Sequence, residues 1–313
     1  MPEPKRFAAL DIGSNTIRLL ITQIDEEITE IASAQKITRL GESAHTSGIL
    51  SDNAIDRTLS AVVELLSSAK AHSPFTIAAV ATHAVRSAGN RQVFAEEFER
   101  KTGVPLTIVT WEEEAKLTLK GMETVIDNGP VLLFDIGGGS TEFIYRNAKG
   151  QVRSHGTELG VVRLTETFIS KAPLNHEEFK KLSGYINTEL EKVKESLEIK
   201  GEFRLVGTAG TVTSIAAMHL GMEEYDPEKI NNTILKISEI EEQKVRVGEM
   251  TIEERSRIGS LQNGREDLII PGFGIVLGIM EKFAVGSLTI CDAGLREGII
   301  ISLKENGLKG TIL

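Results

Sequence analysis

The sequence predicts an α/β protein of two lobes. Three observations carry that expectation: a short Asp-Ile-Gly signature that occurs twice, an order of elements that restarts halfway along the chain, and a breaker, Asn128-Gly129-Pro130, where it restarts. One copy of the signature reads Leu10-Asp11-Ile12-Gly13-Ser14-Asn15-Thr16-Ile17-Arg18-Leu19. The other reads Phe134-Asp135-Ile136-Gly137-Gly138-Gly139-Ser140-Thr141-Glu142-Phe143. Each reads as a strand, a tight Asp-x-Gly turn and a second strand. Glycine lets the backbone turn sharply and approach a ligand closely. Successive N–H groups in such a turn form a concave nest for phosphate oxygens. An Asp at the end of the first strand is placed to hold a hydrated divalent cation beside them. Two copies about one domain apart suggest a duplicated fold with its phosphate site in the cleft between the lobes. The lobes are expected over 1–127 and 128–313.

The elements follow in order. Segments 7–12, 16–24 and 28–38 run apolar or alternate, as strands do. Segment 52–71 has helical spacing, with Ser51 or Asp52 as N-cap and Ala54, Ile55, Leu59, Val62, Leu65 and Leu66 on one face. A buried strand over 77–81, a helix over 90–101 ended by Gly103, a strand over 106–109 and a helix over 112–126 complete the first half. The pattern then restarts with strands over 131–135, 141–146 and 151–158 and a helix over 177–196. A strand over 203–206 leads into a helix through His219. Helices over 238–247, 252–258 and 267–285, a strand over 288–291 and a last helix over 294–304 follow. Three strands and then alternating helix and strand, twice, define two α/β lobes.

Composition narrows the function classes. The chain has 313 residues, 41% of them hydrophobic, and a formal net charge of -10. Lys and Arg are dispersed, which argues against a general nucleic-acid or membrane-surface binder. A polyanionic substrate remains compatible, because a few arginines set a local field. Cys291 is the lone cysteine, so no disulfide framework is expected and a reducing cytoplasm fits. The start does not read as a signal peptide, and no apolar run approaches the ~20 residues of a membrane span.

Several constellations hold candidate chemistry. Around the glycine run, Asp135, Ser140, Thr141 and Glu142 supply polar groups that a plain turn does not need. In the first copy, Ser14 and Asn15 are suited to phosphate oxygens. Arg18 lies on an otherwise apolar strand, where a buried guanidinium needs a carboxylate or an anion as partner. Arg86, in Thr82-His83-Ala84-Val85-Arg86, follows a buried strand and suits a bidentate phosphate clamp; a surface loop arginine is the plain alternative. Glu112, Glu113 and Glu114 open a helix. Acids there oppose the helix dipole, and Glu112 can pair with Lys116, but a carboxylate so placed can also deprotonate a water. Spacing does not choose among the three. Gly207-Thr208-Ala209-Gly210-Thr211 suits either an anion at a helix N-terminus or a close-packed turn. Arg265 is a further candidate phosphate arginine, and segment 292–298 reads as mostly architectural. The six histidines lack ligand spacing, and no Gly-x-Gly-x-x-Gly or Gly-Lys-Ser/Thr motif occurs, so zinc, nicotinamide and P-loop chemistry are not expected.

These motifs in this order resemble the exopolyphosphatase/guanosine pentaphosphate phosphohydrolase (Ppx/GppA) family. The matching stretches are 11–19, 82–90, 113–116, 135–142, 207–211, 264–272 and 292–298. The resemblance implies two actin-like, ribonuclease H-like lobes of the sugar kinase/actin/heat-shock ATPase superfamily. It makes Glu114, directly before Ala115, the catalytic base. Asp135 and Glu142 would hold Mg²⁺, or another divalent cation, and help place the lytic water. Asp11, Ser14, Asn15, Gly137, Gly138, Gly139 and Ser140 would line the phosphate cradle, and Arg18, Arg86 and Arg265 would neutralise charge. The resemblance also admits K⁺ as an accompanying monovalent cation, and a homodimer is expected. The family removes terminal phosphates from polyphosphate or guanosine pentaphosphate. Lys116 stands where relatives often have Arg, and loses the bidentate fork. Longer members carry additional helical domains, so a smaller surface for very long chains is expected. The rival readings are a kinase using the same cradle for ATP and a nucleotide-binding sensor or filament protein without significant turnover.

Overall fold

A computed structural model describes residues 5–25, 28–261 and 264–313. The chain opens with strands β1 (Lys5–Ile12), β2 (Thr16–Ile24) and β3 (Ile28–Ile37), each antiparallel to the one before. Helix α1 (Ala44–Ser47) precedes α2 (Asp52–Ala69), which begins where the Ser51 hydroxyl accepts from Ala54 N–H. The apolar face of α2 is buried at the positions its spacing predicts. β4 (Thr76–Ala81) then lies parallel to β1. α3 (His83–Ser87) and α4 (Arg91–Thr102) follow, the latter stopped by Gly103 at φ 70°. β5 (Leu106–Ile108) lies parallel to β4 and leads into α5 (Trp111–Met122).

The second half repeats the plan. β6 (Val131–Ile136), β7 (Thr141–Arg146) and β8 (Val152–Thr157) form antiparallel pairs. After α6 (Val161–Phe168) and α7 (His176–Leu197), β9 (Arg204–Thr208) lies parallel to β6. α8 (Ala209–His219), α9 (Pro227–Ile230), β10 (Ile234–Lys236), α10 (Ile237–Gly248), α11 (Ile252–Arg255) and α12 (Ile269–Lys282) lead to β11 (Ser287–Ile290), parallel to β9. α13 (Leu295–Lys304) and β12 (Thr311–Ile312) end the chain.

The sheet orders show the duplication. β3-β2-β1-β4-β5 in the first sheet matches β8-β7-β6-β9-β11 in the second, strand for strand and direction for direction. That is the ribonuclease H-like order of an actin-like lobe. β10 extends the second sheet and β12 pairs with β4 in the first.

The chain does not divide at 127/128 in a single cut. One compact unit comprises Met1–Gly121 and Gly294–Leu313, the other Met122–Ala293. The C-terminal segment returns to the first unit because Leu295, Ile299, Ile300 and Leu303 of α13 cover Phe7, Ala9, Leu20 and Val80, one face of the first sheet. The opposite face packs against α2 and α4 through residues such as Leu59, Val62, Phe94 and Phe98. In the second unit Phe134, Phe143, Leu182, Ile186 and Phe273 share one core.

α5 and α13 meet backbone to backbone within the first unit. A Cβ at Gly298 would overlap the Leu117 carbonyl. Gly298→Ala is therefore expected to cost about 1–3 kcal/mol, read as a lower unfolding midpoint. An unchanged midpoint would contradict this close approach.

Candidate active site

The β1–β2 turn is built on its carbonyls. Gly13 N–H bonds Thr16 O at 3.2 Å, which closes the hairpin. Asn15 O accepts from both Thr38 and Arg39 N–H at 2.9 Å, and Ser14 O from Gly41 N–H at 2.8 Å. Ser14 and Asn15 are buried. The Asn15 Nδ2 bonds Thr16 Oγ1 at 3.3 Å, while its Oδ1 has no partner among the described residues. An amide's O and N ends are assigned from their partners, and with Oδ1 accepting from the Thr16 hydroxyl this side chain presents N–H to an anion.

Asp11, at the end of β1, stands directly across from Arg18 in the hairpin register. Burial pushes the Asp11 carboxyl above the usual range; the charges of Arg18 and Arg296 oppose this, and Glu297 reinforces it. Arg18 therefore has a carboxylate neighbour, one of the two alternatives its position allowed. Arg296 Nη1 bonds Ser33 Oγ at 3.3 Å, and Glu297 Oε2 accepts from Gly294 N–H at 2.7 Å at the start of α13. By sequence alone, segment 292–298 reads as mostly architectural. The placement of Arg296 and Glu297 beside Asp11 depends on the return of α13 to the first sheet, which no local pattern announces. Because the folded pKa of Asp11 is raised, its ionisation costs stability as pH climbs above the unfolded carboxylate range. Asp11→Asn is expected to unfold at a higher temperature than wild type at neutral pH, with the gap closing at pH below that range. A gap independent of pH would contradict it.

Glu114 is set apart from its neighbours by the fold. Glu112 and Glu113 are exposed, and Glu113 Oε2 accepts from Thr110 N–H at 2.8 Å, a cap for α5. Glu114 is 6% exposed, and its Oε2 accepts from Arg86 Nη1 at 2.5 Å. Arg86 Nη1 also donates to Val109 O at 3.1 Å, and its guanidinium lies 4.0 Å over the Trp111 ring. Arg86 is thus no surface loop arginine: it orients a buried carboxylate. Lys116 is exposed.

In the second unit the glycine turn is held from behind. Gly137 N–H bonds Ser140 O at 2.9 Å. The Gly137 and Gly138 carbonyls accept from Val161 and Val162 N–H, the opening amides of α6, at 3.1 and 2.8 Å. A Cβ at Gly160 would overlap the backbone of Gly139, so α6 docks directly on the turn. Asp135 and Glu142 face each other across β6 and β7. Ser140 Oγ donates to Glu142 Oε1 at 2.7 Å, which commits its single proton to that carboxylate. Ser140 in this state orients Glu142 instead of donating to a phosphate. Two carboxylates directly opposite on neighbouring strands repel. Their hard oxygen donors suit a divalent cation, which would offset that repulsion.

Arg265 is buried, and its guanidinium lies against Gly210 at the start of α8, where any side chain would collide with it. Gly207 packs against the Phe134 ring, so the turn is close-packed as well as open to an arginine.

Each unit thus carries an actin-like lobe with an Asp-Ile-Gly hairpin turn, with Asp11 and Arg18 paired in register beside the first and Asp135 and Glu142 beside the second. This is the construction of an actin-like protein that handles phosphate. Residues 20–306 match the model of the Ppx/GppA phosphatase family, and the chain belongs to that family. It is 29% identical to exopolyphosphatase 2 of Mycobacterium tuberculosis H37Rv, covering 95% of this chain and 98% of that one. A bifunctional 3-dehydroquinate synthase/phosphatase of Fusobacterium nucleatum is 30% identical over 96% of this chain but only 46% of its own. The Aquifex aeolicus Ppx/GppA family member superposes with a TM-score of 0.81 at 33% identity, covering 96% and 99% of the two chains. An exopolyphosphatase from Cytophaga hutchinsonii superposes at 0.89 with 23% identity, covering 96% and 98%, a likeness of fold alone. No helix among the described residues is long and apolar enough to cross a membrane.

Proposed function

We propose that this protein removes terminal phosphates from inorganic polyphosphate by direct attack of water. The observation that carries the reading is the buried Glu114 carboxylate held by Arg86. Burying an ion pair is costly, and removing one partner is costlier still. A carboxylate kept there suits a task that needs a fixed proton acceptor. The M. tuberculosis relative named as an exopolyphosphatase supports the choice of substrate.

In this reading Glu114 orients a water and takes its proton as the water oxygen bonds to the terminal phosphorus. The bridging P–O bond breaks, and its electron pair leaves on the shortened chain. In the first unit Ser14 and Asn15 hold phosphate oxygens; in the second the backbone N–H groups of Gly138 and Gly139 do so, while the Gly137 N–H closes the turn on Ser140 O. Arg18 and Arg86 in the first unit, the latter while it anchors Glu114, and Arg265 in the second offset phosphate charge. Asp135 and Glu142, the latter oriented by Ser140, would hold Mg²⁺. A cation bound there offsets charge on the transferred phosphoryl.

The test is divalent-dependent phosphate release by purified protein. Short and long polyphosphate, guanosine pentaphosphate and ATP are compared in parallel, because the same step converts guanosine pentaphosphate to the tetraphosphate. Polyphosphate is expected to yield phosphate fastest. Release from guanosine pentaphosphate alone would move the assignment to that substrate, and release from none would overturn the hydrolase.

A further inference from the structure

Arg255 is among the largest fully buried side chains of the described residues, at 1% exposed. It ends the four-residue helix α11, far in sequence from any Asp-Ile-Gly turn. A guanidinium removed from water is costly unless its donors are met. Its Nε donates to Val247 O at 3.0 Å, in the last turn of α10, and its Nη1 donates to Glu266 O at 3.1 Å. Burial pushes its pKa down and the charge of Asp267 opposes this. One buried cation therefore ties the end of α10 to segment 265–267.

Arg265 immediately precedes the residue whose carbonyl Arg255 grips. Arg265 O accepts from Leu268 and Ile269 N–H at 3.0 and 3.2 Å, where α12 begins. The backbone that follows the Arg265 side chain is thus held twice, by the start of α12 at its own carbonyl and by Arg255 at the next one. Its guanidinium lies against Gly210 in the first turn of α8. We infer that Arg255 is a positioning residue: it holds segment 265–267 so that the Arg265 guanidinium is set for a phosphate chain. The inference rests on Arg265 being a phosphate contact. The competing role is a purely structural clamp on α10 and α11 through Val247.

A double-mutant cycle on the full-length protein separates the two, with inorganic tripolyphosphate binding measured by calorimetry. Arg255→Met keeps most of the volume and loses the donors. It is expected to weaken binding about tenfold when Arg265 is present and less than about twofold in an Arg265→Ala background. Arg255→Lys keeps the charge without the fork and should fall between wild type and Arg255→Met. Equal losses in both backgrounds would overturn the inference, whatever the melting temperatures. If Arg255→Met does not fold, Arg255→Lys carries the same cycle. A wild-type protein that binds no tripolyphosphate overturns the phosphate reading of Arg265 and this inference with it. Binding with an additive cycle overturns the role of Arg255 alone.

Discussion

Glu114→Gln is expected to slow phosphate release from polyphosphate by about 10²–10⁴-fold while leaving polyphosphate affinity within a few-fold of wild type. Glutamine has nearly the same shape and keeps an oxygen that can accept from Arg86, so the surrounding contacts survive. What it lacks is a basic oxygen to take the proton of the attacking water. The neighbouring acids cannot substitute, because Glu113 caps α5 and Glu112 is exposed. Steady-state turnover together with equilibrium binding reads the effect. Near-normal turnover would remove Glu114 from the mechanism, and equal loss of binding and turnover would make it a structural group.

Arg86→Met is expected to be nearly as damaging, and to lower stability as well. Side-chain exposure of Arg86 and Glu114 is 12% and 8%, so removing the arginine strands a buried carboxylate. Breaking such a pair typically costs about 3–5 kcal/mol. Turnover falls because Glu114 loses its anchor and the phosphate chain loses a cation. Arg86→Lys should recover part of the stability but not the bond geometry or the stacking on Trp111. Combining Arg86→Met with Glu114→Gln should cost less stability than Arg86→Met alone, since no charge is left stranded. Thermal unfolding of the four proteins checks this; additive losses would contradict the coupling.

The lobes were legible because their signals are local. The Asp-Ile-Gly turns, the apolar strands before them and the amphipathic spacing of 52–71 each follow from short-range pattern. What was illegible depends on long-range contact. No element is expected between the strand over 151–158 and the helix over 177–196, yet α6 forms there, its opening amides bonded to the Gly137 and Gly138 carbonyls. β10 and β12 have 3 and 2 residues, too short for alternation to register. The helix expected over 252–258 gives way after Arg255, and the one expected over 267–285 runs Ile269–Lys282. Lobe membership of Gly294–Leu313 is invisible along the chain, which is why Arg296 and Glu297 were not linked to Asp11. Among three adjacent glutamates, burial and the Arg86 bond distinguish Glu114; spacing alone could not.

The most direct test of the account follows end-labelled polyphosphate through a single turnover on wild-type protein and on Glu114→Gln. The account predicts labelled monophosphate released from the chain end by the wild type, dependent on a divalent cation, with the chain bound but intact on the variant. Label that stays on the chain with the wild type, or is released equally fast by Glu114→Gln, would contradict it.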